Sequence, residues 1–388
     1  MEYKHLQDLT PDGQVYVNEH MGTLEAMLPP EEGNKTAHGP ALLETEDGAL
    51  LCAWFSGTYE GSGDCHIVIS RLDKDSDRWS KTADLSVICN RSEHNPSLFQ
   101  APNGEIWAMY TSQEARRADK DNMQYTAVVK RQISKDQGRT WGKAEVMFDR
   151  EGTFCRQPIQ ILSNGNWIFS NWLCSDSANG LAGDPTVFQI SEDQGKSWRE
   201  VEMPESHGRV HANVVELDDK GHLAAFMRSR EADYIYRSES KDFGESWSVP
   251  VPTPLPNNNS SISAIRLNSG RIAIAYNPTH APKTVKGGAA WPGLRCPVAV
   301  ALSEDGGLTF PMIRHMELGE GFVGDENSTN NMQYEYPYLM QSRDGKLQLA
   351  FAYRTRIGMK WMSFTERDVM GDKRQAEGIY NPTAAVIK

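Results

Sequence analysis

Ser240-Lys241-Asp242-Phe243-Gly244-Glu245-Ser246-Trp247 is one of four variants of a single octapeptide in this chain. Residues 134–141 read SKDQGRTW, 191–198 read SEDQGKSW and 303–310 read SEDGGLTF, all fitting S-x-D-x-G-x-[ST]-[WF]. The pattern has a physical reading at each position. The Asp turns its carboxylate onto nearby backbone N–H groups, the Gly takes φ > 0, and the aromatic packs between strands. It is therefore a hairpin corner, and its repetition along the chain signals a repeat architecture.

A second repeat runs in step with the first. A polar residue and a Gly precede an apolar strand at Gly48, Gly104, Gly165, Gly221, Gly270 and Gly345, followed by stretches such as ALLCAWF, HLAAFMR and RIAIAYN. Steps of roughly 50 to 75 residues correspond to one four-stranded blade each. Helical periodicity is almost absent, so the pattern predicts an all-β, six-bladed β-propeller. It occupies one domain over 1–388, with about 13–367 the propeller and short polar tails. Residues 14–17 are expected to form a strand that completes the last blade. Residues 70–79 (SRLDKDSDRW) read as a degenerate corner without the Gly.

The formal charge of −12 is the wrong sign for a nucleic-acid backbone, and no apolar run is long enough for a membrane helix. The six Cys lack metal-type spacing, and no secretory leader is visible, which leads to an expectation of reduced thiols in a cytoplasmic protein. No cofactor and no metal are demanded, since neither HxH nor HExxH occurs. Oligomeric state is left open.

In a propeller the residues just before each innermost strand face one end of the channel. Those places hold His38, His94 and Asn95, Arg156 and Gln157, His211 and Asn213, Ser260 and Ser261, and Glu335 and Tyr336. This polar, titratable set beside apolar strands suits acid–base work on a polar substrate. Arg228 ends one apolar strand, Arg295 precedes another and Arg354 ends a third, and a guanidinium suits bidentate grip on a carboxylate or sulfate. Glu60 and Asp64, in the loop after the first hairpin, are candidate general acids. Asp136, Asp193, Asp242 and Asp305 are assigned to the corners instead.

The corner octapeptide resembles the bacterial-neuraminidase repeat, or Asp box, of the sialidase superfamily. The six hairpins resemble that family's six-bladed propeller over nearly the whole chain. The resemblance implies a carboxylate-binding Arg triad, of which Arg228 and Arg295 match two members. The first member's place, Arg-Ile-Pro in the family, reads His38-Gly39-Pro40 here. Tyr336-Pro337-Tyr338-Leu339 resembles the stretch holding the family's nucleophilic Tyr. His211 falls where its activating Glu is expected, and Glu60 or Asp64 falls where its acid/base Asp is expected. The implied function is an exo-acting glycoside hydrolase on an acidic sugar or oligosaccharide. Tyr336 would be nucleophile or stabiliser, with His211 its proton partner. A uronate lyase or His-dependent glycosidase using His38, and a glycan-binding propeller without turnover, use the same residues differently.

Overall fold

The computed structural model describes residues 4–5, 10–33, 36–120, 122–176, 180–280, 288–291, 295–318, 334–354 and 356–371; the polar tail beyond lies outside them. Two compact units divide the chain, Met1–Cys155 with Gln333–Asp368 and Arg156–Met332 with Val369–Lys388. Antiparallel sheets follow one another in sequence as the blades of a six-bladed β-propeller. Helix among the described residues is confined to short turns and Glu366–Met370.

In the first unit, the first blade runs through Thr36–Glu44, Leu50–Gly57, His66–Leu72 and Ala83–Asp84. The second runs through Arg91–Gln100, Ile106–Glu114, Val128–Ser134 and Glu145–Phe148. The sixth is built on Glu335–Gln341, Leu347–Tyr353 and Gly358–Phe364. Its outer strand comes from the far end of the sequence, and the closing segment is Thr23–Met27 rather than residues 14–17. Met27 pairs with Lys360 and Leu24 with Ser363, while Tyr16–Asn18 lies outside as a further strand. The reason is chemical. Thr23–Met27 carries a buried Glu25, which meets the Lys360 ammonium at 2.8 Å. The Val15 amide instead bonds Asp77 O and the Trp79 amide bonds Gly13 O, which ties residues 13–15 to the degenerate corner.

The second unit holds the third, fourth and fifth blades. Trp167–Leu173, Thr186–Ser191 and Arg199–Glu202 form the body of the third, with Gln160–Ile161 paired onto Trp167–Leu173. Arg209–Glu216, Leu223–Ser229, Tyr234–Ser240 and Val251–Pro256 form the fourth. Ser263–Arg266, Ile272–Tyr276, Val298–Ser303 and Met312–Glu317 form the fifth. Second strands such as Leu50–Gly57 and Leu223–Ser229 are buried along their whole length, because blades cover both of their faces.

The four corners share one geometry. In the fourth blade, Asp242 Oδ1 accepts from the Ser246 amide at 2.9 Å and the Ser240 hydroxyl at 2.7 Å, while the Gly244 amide donates to Ser240 Oγ. The Thr140 hydroxyl and amide on Asp136, and the Ser197 hydroxyl and amide on Asp193, hold each carboxylate down at about 2. The corner Gly has a second duty besides its positive φ. A Cβ on Gly307 would stand 2.3 Å from the Phe226 ring, and one on Gly138 would stand 2.5 Å from Leu51, so the corner rests directly on the preceding blade. The corner aromatic packs the same way, with Trp247 stacked on Phe188 at 4.4 Å.

Candidate functional site

The entry to the first strand of a blade is bent in the same way four times. Register shifts fall between His38 and Ala41, His94 and Ser97, Val210 and Asn213, and Glu335 and Tyr338. At each, one residue adopts positive φ: Gly39 at 66°, Asn95 at 51°, His211 at 56° and Tyr336 at 53°. A β-bulge takes a side chain out of ladder alternation, which sets Asn95, His211 and Tyr336 apart from the strands that carry them.

In the first unit these bulges bring His38, Glu335 and Tyr336 together. His38 Nε2 lies 3.2 Å from Glu335 Oε2, both side chains fully buried, and the His38 and Tyr336 ring centroids are 4.1 Å apart. Tyr336 itself is partly exposed. Arg356 links two carboxylates, donating from Nε to Glu335 Oε2 at 2.9 Å and from Nη1 to Glu60 Oε2. Burial raises the Glu60 pKa, but the Arg356, His94 and Arg116 charges outweigh it and hold the carboxyl down at about 2. Burial also pushes His94 down to about 4, and its Nε2 lies 2.8 Å from Ser92 Oγ. Asp64 bonds locally to Thr58 and Ser62, whose hydrogen bonds outweigh partial burial and lower its pKa. Arg354 lies with its guanidinium 5.4 Å from the Tyr353 ring centroid. Arg356, two residues on, makes the carboxylate links.

In the second unit the centre is His211, buried and stacked on Trp172 at 4.1 Å. Its Nδ1 lies 3.0 Å from Ser261 Oγ and its Nε2 lies 3.4 Å from Arg228 Nη1. Burial lowers the His211 pKa well below its ordinary value, and the charges of Arg228, Arg230, Arg156 and Arg295 lower it further. Four guanidiniums therefore act on one imidazole, and Arg156, Arg228 and Arg295 are themselves buried. Arg228 Nε donates to Asn259 Oδ1 at 2.9 Å, and Arg295 Nη2 donates to Asn259 O at 3.2 Å. Arg230 Nη2 lies 3.2 Å from Asp184 Oδ2. Asn213 and Gln157 face backbone. The Asn213 amide bonds His211 O and the Ala264 amide, and Gln157 Nε2 donates to Ile262 O at 3.0 Å.

Sequence reasoning passed over Arg356, Arg230, Trp172 and Asn259. For Asn259 a signal existed. Asn257-Asn258-Asn259-Ser260-Ser261 is a polar run against an apolar strand, and all five residues are fully buried. None of the six cysteines is joined to another in a disulfide. No helix among the described residues is long and apolar enough to cross a membrane.

A family model described as BNR repeat-like domain matches residues 48–349. Among solved structures, the chain is similar to a Hadza microbial sialidase, Hz136, at a TM-score of 0.68 and 14% identity, covering 86% of this chain and 66% of that one. It is similar to the NanB sialidase of Streptococcus pneumoniae at 0.67 and 13%, covering 87% and 70%. It is also similar to a protein of unknown function from Dyadobacter fermentans at 0.68 and 16%, covering 87% and 97%. The chain thus spans just under two thirds of the length of the Hadza enzyme. Nothing among curated proteins matches it in sequence. At these identities the likeness shows the fold, that of the sialidase propellers.

Proposed function

The chain belongs to the BNR repeat-like domain family, and from that premise we propose that it is a sialidase-like glycoside hydrolase acting on an acidic sugar or oligosaccharide. The observation that carries this reading is the pair of buried guanidiniums, Arg228 and Arg295, held on one residue, Asn259, with Arg228 beside His211 in the second unit. Buried guanidiniums whose N–H groups are oriented by a neighbouring Asn suit a sugar carboxylate better than a neutral hydroxyl. Arg156 joins Arg228 and Arg295 in this role, so the substitution of His38 at the family's first Arg position does not leave the group short of a third cation.

Taken by itself, the first unit holds groups suited to proton chemistry. Tyr336 is nucleophile or oxocarbenium stabiliser, and His38, whose ring stands against it and whose Nε2 meets Glu335, is its proton partner. His211 is left to the anion-binding group. Glu60 is ionised while Arg356 holds it, so it protonates a leaving group only once a bound substrate draws Arg356 away.

The test is incubation with acidic oligosaccharides and their carboxyl-reduced counterparts, read by mass and near-ultraviolet absorbance. Hydrolysis adds one water without a new band and spares the reduced substrates. Arg228→Met raises KM for the acidic substrate on the order of 100-fold. Equal turnover of both substrate sets ends the reading. A second reading, β-elimination from a uronate, is favoured by His211 itself, a neutral imidazole 3.4 Å from an Arg. Such a base takes a proton from the carbon beside the Arg-bound carboxylate. It predicts an absorbing unsaturated product and no gain of water.

A further inference from the structure

We propose that Glu31, His66 and Asp84 form a binding site for a zinc-type divalent cation on the outer edge of the first blade. The three come from separate places: Glu31 from the loop after the closing strand, His66 from the start of His66–Leu72, and Asp84 from the edge strand Ala83–Asp84. Their spacing in sequence matches no metal motif, and the sheet brings them together.

His66 Nδ1 lies 2.9 Å from the backbone oxygen of Asp64, and a carbonyl oxygen only accepts, so Nδ1 carries the proton. In the neutral ring Nε2 is then a bare lone pair. It is buried, and it faces Glu31 Oε1 and Asp84 Oδ1, each at 3.3 Å. An imidazole nitrogen and two carboxylate oxygens turned toward one another, with Nε2 in hydrogen-bond contact with Asp84 Oδ1, make a donor set that a cation can bridge. A second proton on the ring lies along a single N–H axis, so it can be collinear with only one of two oxygens equally distant from it. A cation in the middle serves all three atoms at once. A divalent ion also cancels the charge of the two carboxylates.

The dimensions agree. Tetrahedral bonds of about 2.0 Å set neighbouring ligand atoms about 3.3 Å apart. All three ligand atoms here lie within 4.8 Å of one another, so a small closure by the two carboxylates completes the set. One imidazole nitrogen with two carboxylate oxygens favours zinc over calcium or magnesium, which prefer all-oxygen cages. A ring whose other nitrogen donates to a backbone carbonyl is also what fixes a metal-binding tautomer. The frame is rigid. Asp84 is held opposite Val68 by strand register, and the Glu31 loop is tethered by the Thr82 hydroxyl on Pro29 O. The Asp84 side chain is 70% exposed, which leaves water access to a fourth position. The ion would pin the loop that follows the closing strand to the first blade.

The experiment uses the full chain stripped with chelator and titrated with zinc chloride by calorimetry. One equivalent binds, the melting temperature rises with zinc, and zinc-edge absorption shows a nitrogen/oxygen shell near about 2.0 Å without sulfur. Glu31→Gln and Asp84→Asn each weaken binding on the order of 100-fold. Melting each variant without metal establishes that it is folded. Asp84 is exposed, so its variant keeps the test sound if Glu31→Gln does not fold. No saturable zinc uptake, unchanged affinity in both variants, or sulfur in the shell would each overturn the site.

Discussion

His94 is an imidazole whose pKa burial has pushed down to about 4, so the folded protein refuses a proton that the unfolded chain accepts below its ordinary pKa near 6.5. Its contribution to stability is complete above about pH 6.5 and is lost as pH falls toward 4, up to about 3 kcal/mol. His211 acts in the same direction, while Asp184, raised by burial to about 6, gains as pH falls. The difference between wild type and His94→Gln isolates the one residue. Urea unfolding at pH 7 and pH 4.5 is expected to show a slope smaller by about 2–3 kcal/mol in the variant, and equal slopes would refute the assignment. At this scale the sequence showed which residues stand at blade entries, because the repeat marks those places. It did not show which ion pairs they make. Arg356 escaped notice while Arg354 was named, since the direction a guanidinium takes past a strand end depends on loop geometry that no repeat encodes.

At the scale of the element, the corner was legible because its hydrogen bonds lie within eight residues. The Gly was read for its positive φ, but its contact with the blade before it was not visible in sequence. Gly307→Ala both strains the backbone and drives a methyl into the Phe226 ring, and a cost of about 2–4 kcal/mol is expected from chemical denaturation. Gly39→Ala meets its neighbours only at 3.5 Å or more, so only the φ penalty of about 1 kcal/mol should appear. Similar losses in the two variants would remove the packing explanation. Asp242→Ala leaves the Ser246 amide without its acceptor and should cost about 1–2 kcal/mol. The residue before the corner Gly escaped the sequence reading. Gln137, Gln194 and Phe243 also adopt positive φ, and nothing in their side chains announces it.

For the whole molecule, six Gly hairpins and four corners sufficed to count the blades, and family membership and fold agree with that count. The closing strand was expected a few residues too early, because 14–17 alternates as well as Thr23–Met27 does. What separates them is Glu25, a charge whose partner lies at the opposite end of the sequence. Glu25→Ala leaves the Lys360 ammonium buried without its carboxylate, and a loss of about 3–5 kcal/mol is expected in thermal or urea unfolding. A loss under about 1 kcal/mol would show that water reaches Lys360.

The pairing of Met27 with Lys360 also sets a clock for synthesis. A ribosome adding roughly 5–20 residues per second needs on the order of 15–60 s to deliver the second strand after the first has emerged. Throughout that interval Thr23–Met27 has only Tyr16–Asn18 beside it, and the edge that Lys360 will cover stays open. Any nascent chain beside it on the same messenger carries an identical open edge. An open strand edge is a template for pairing with another chain, so closing the ring late in synthesis leaves this edge exposed to its own kind for longest.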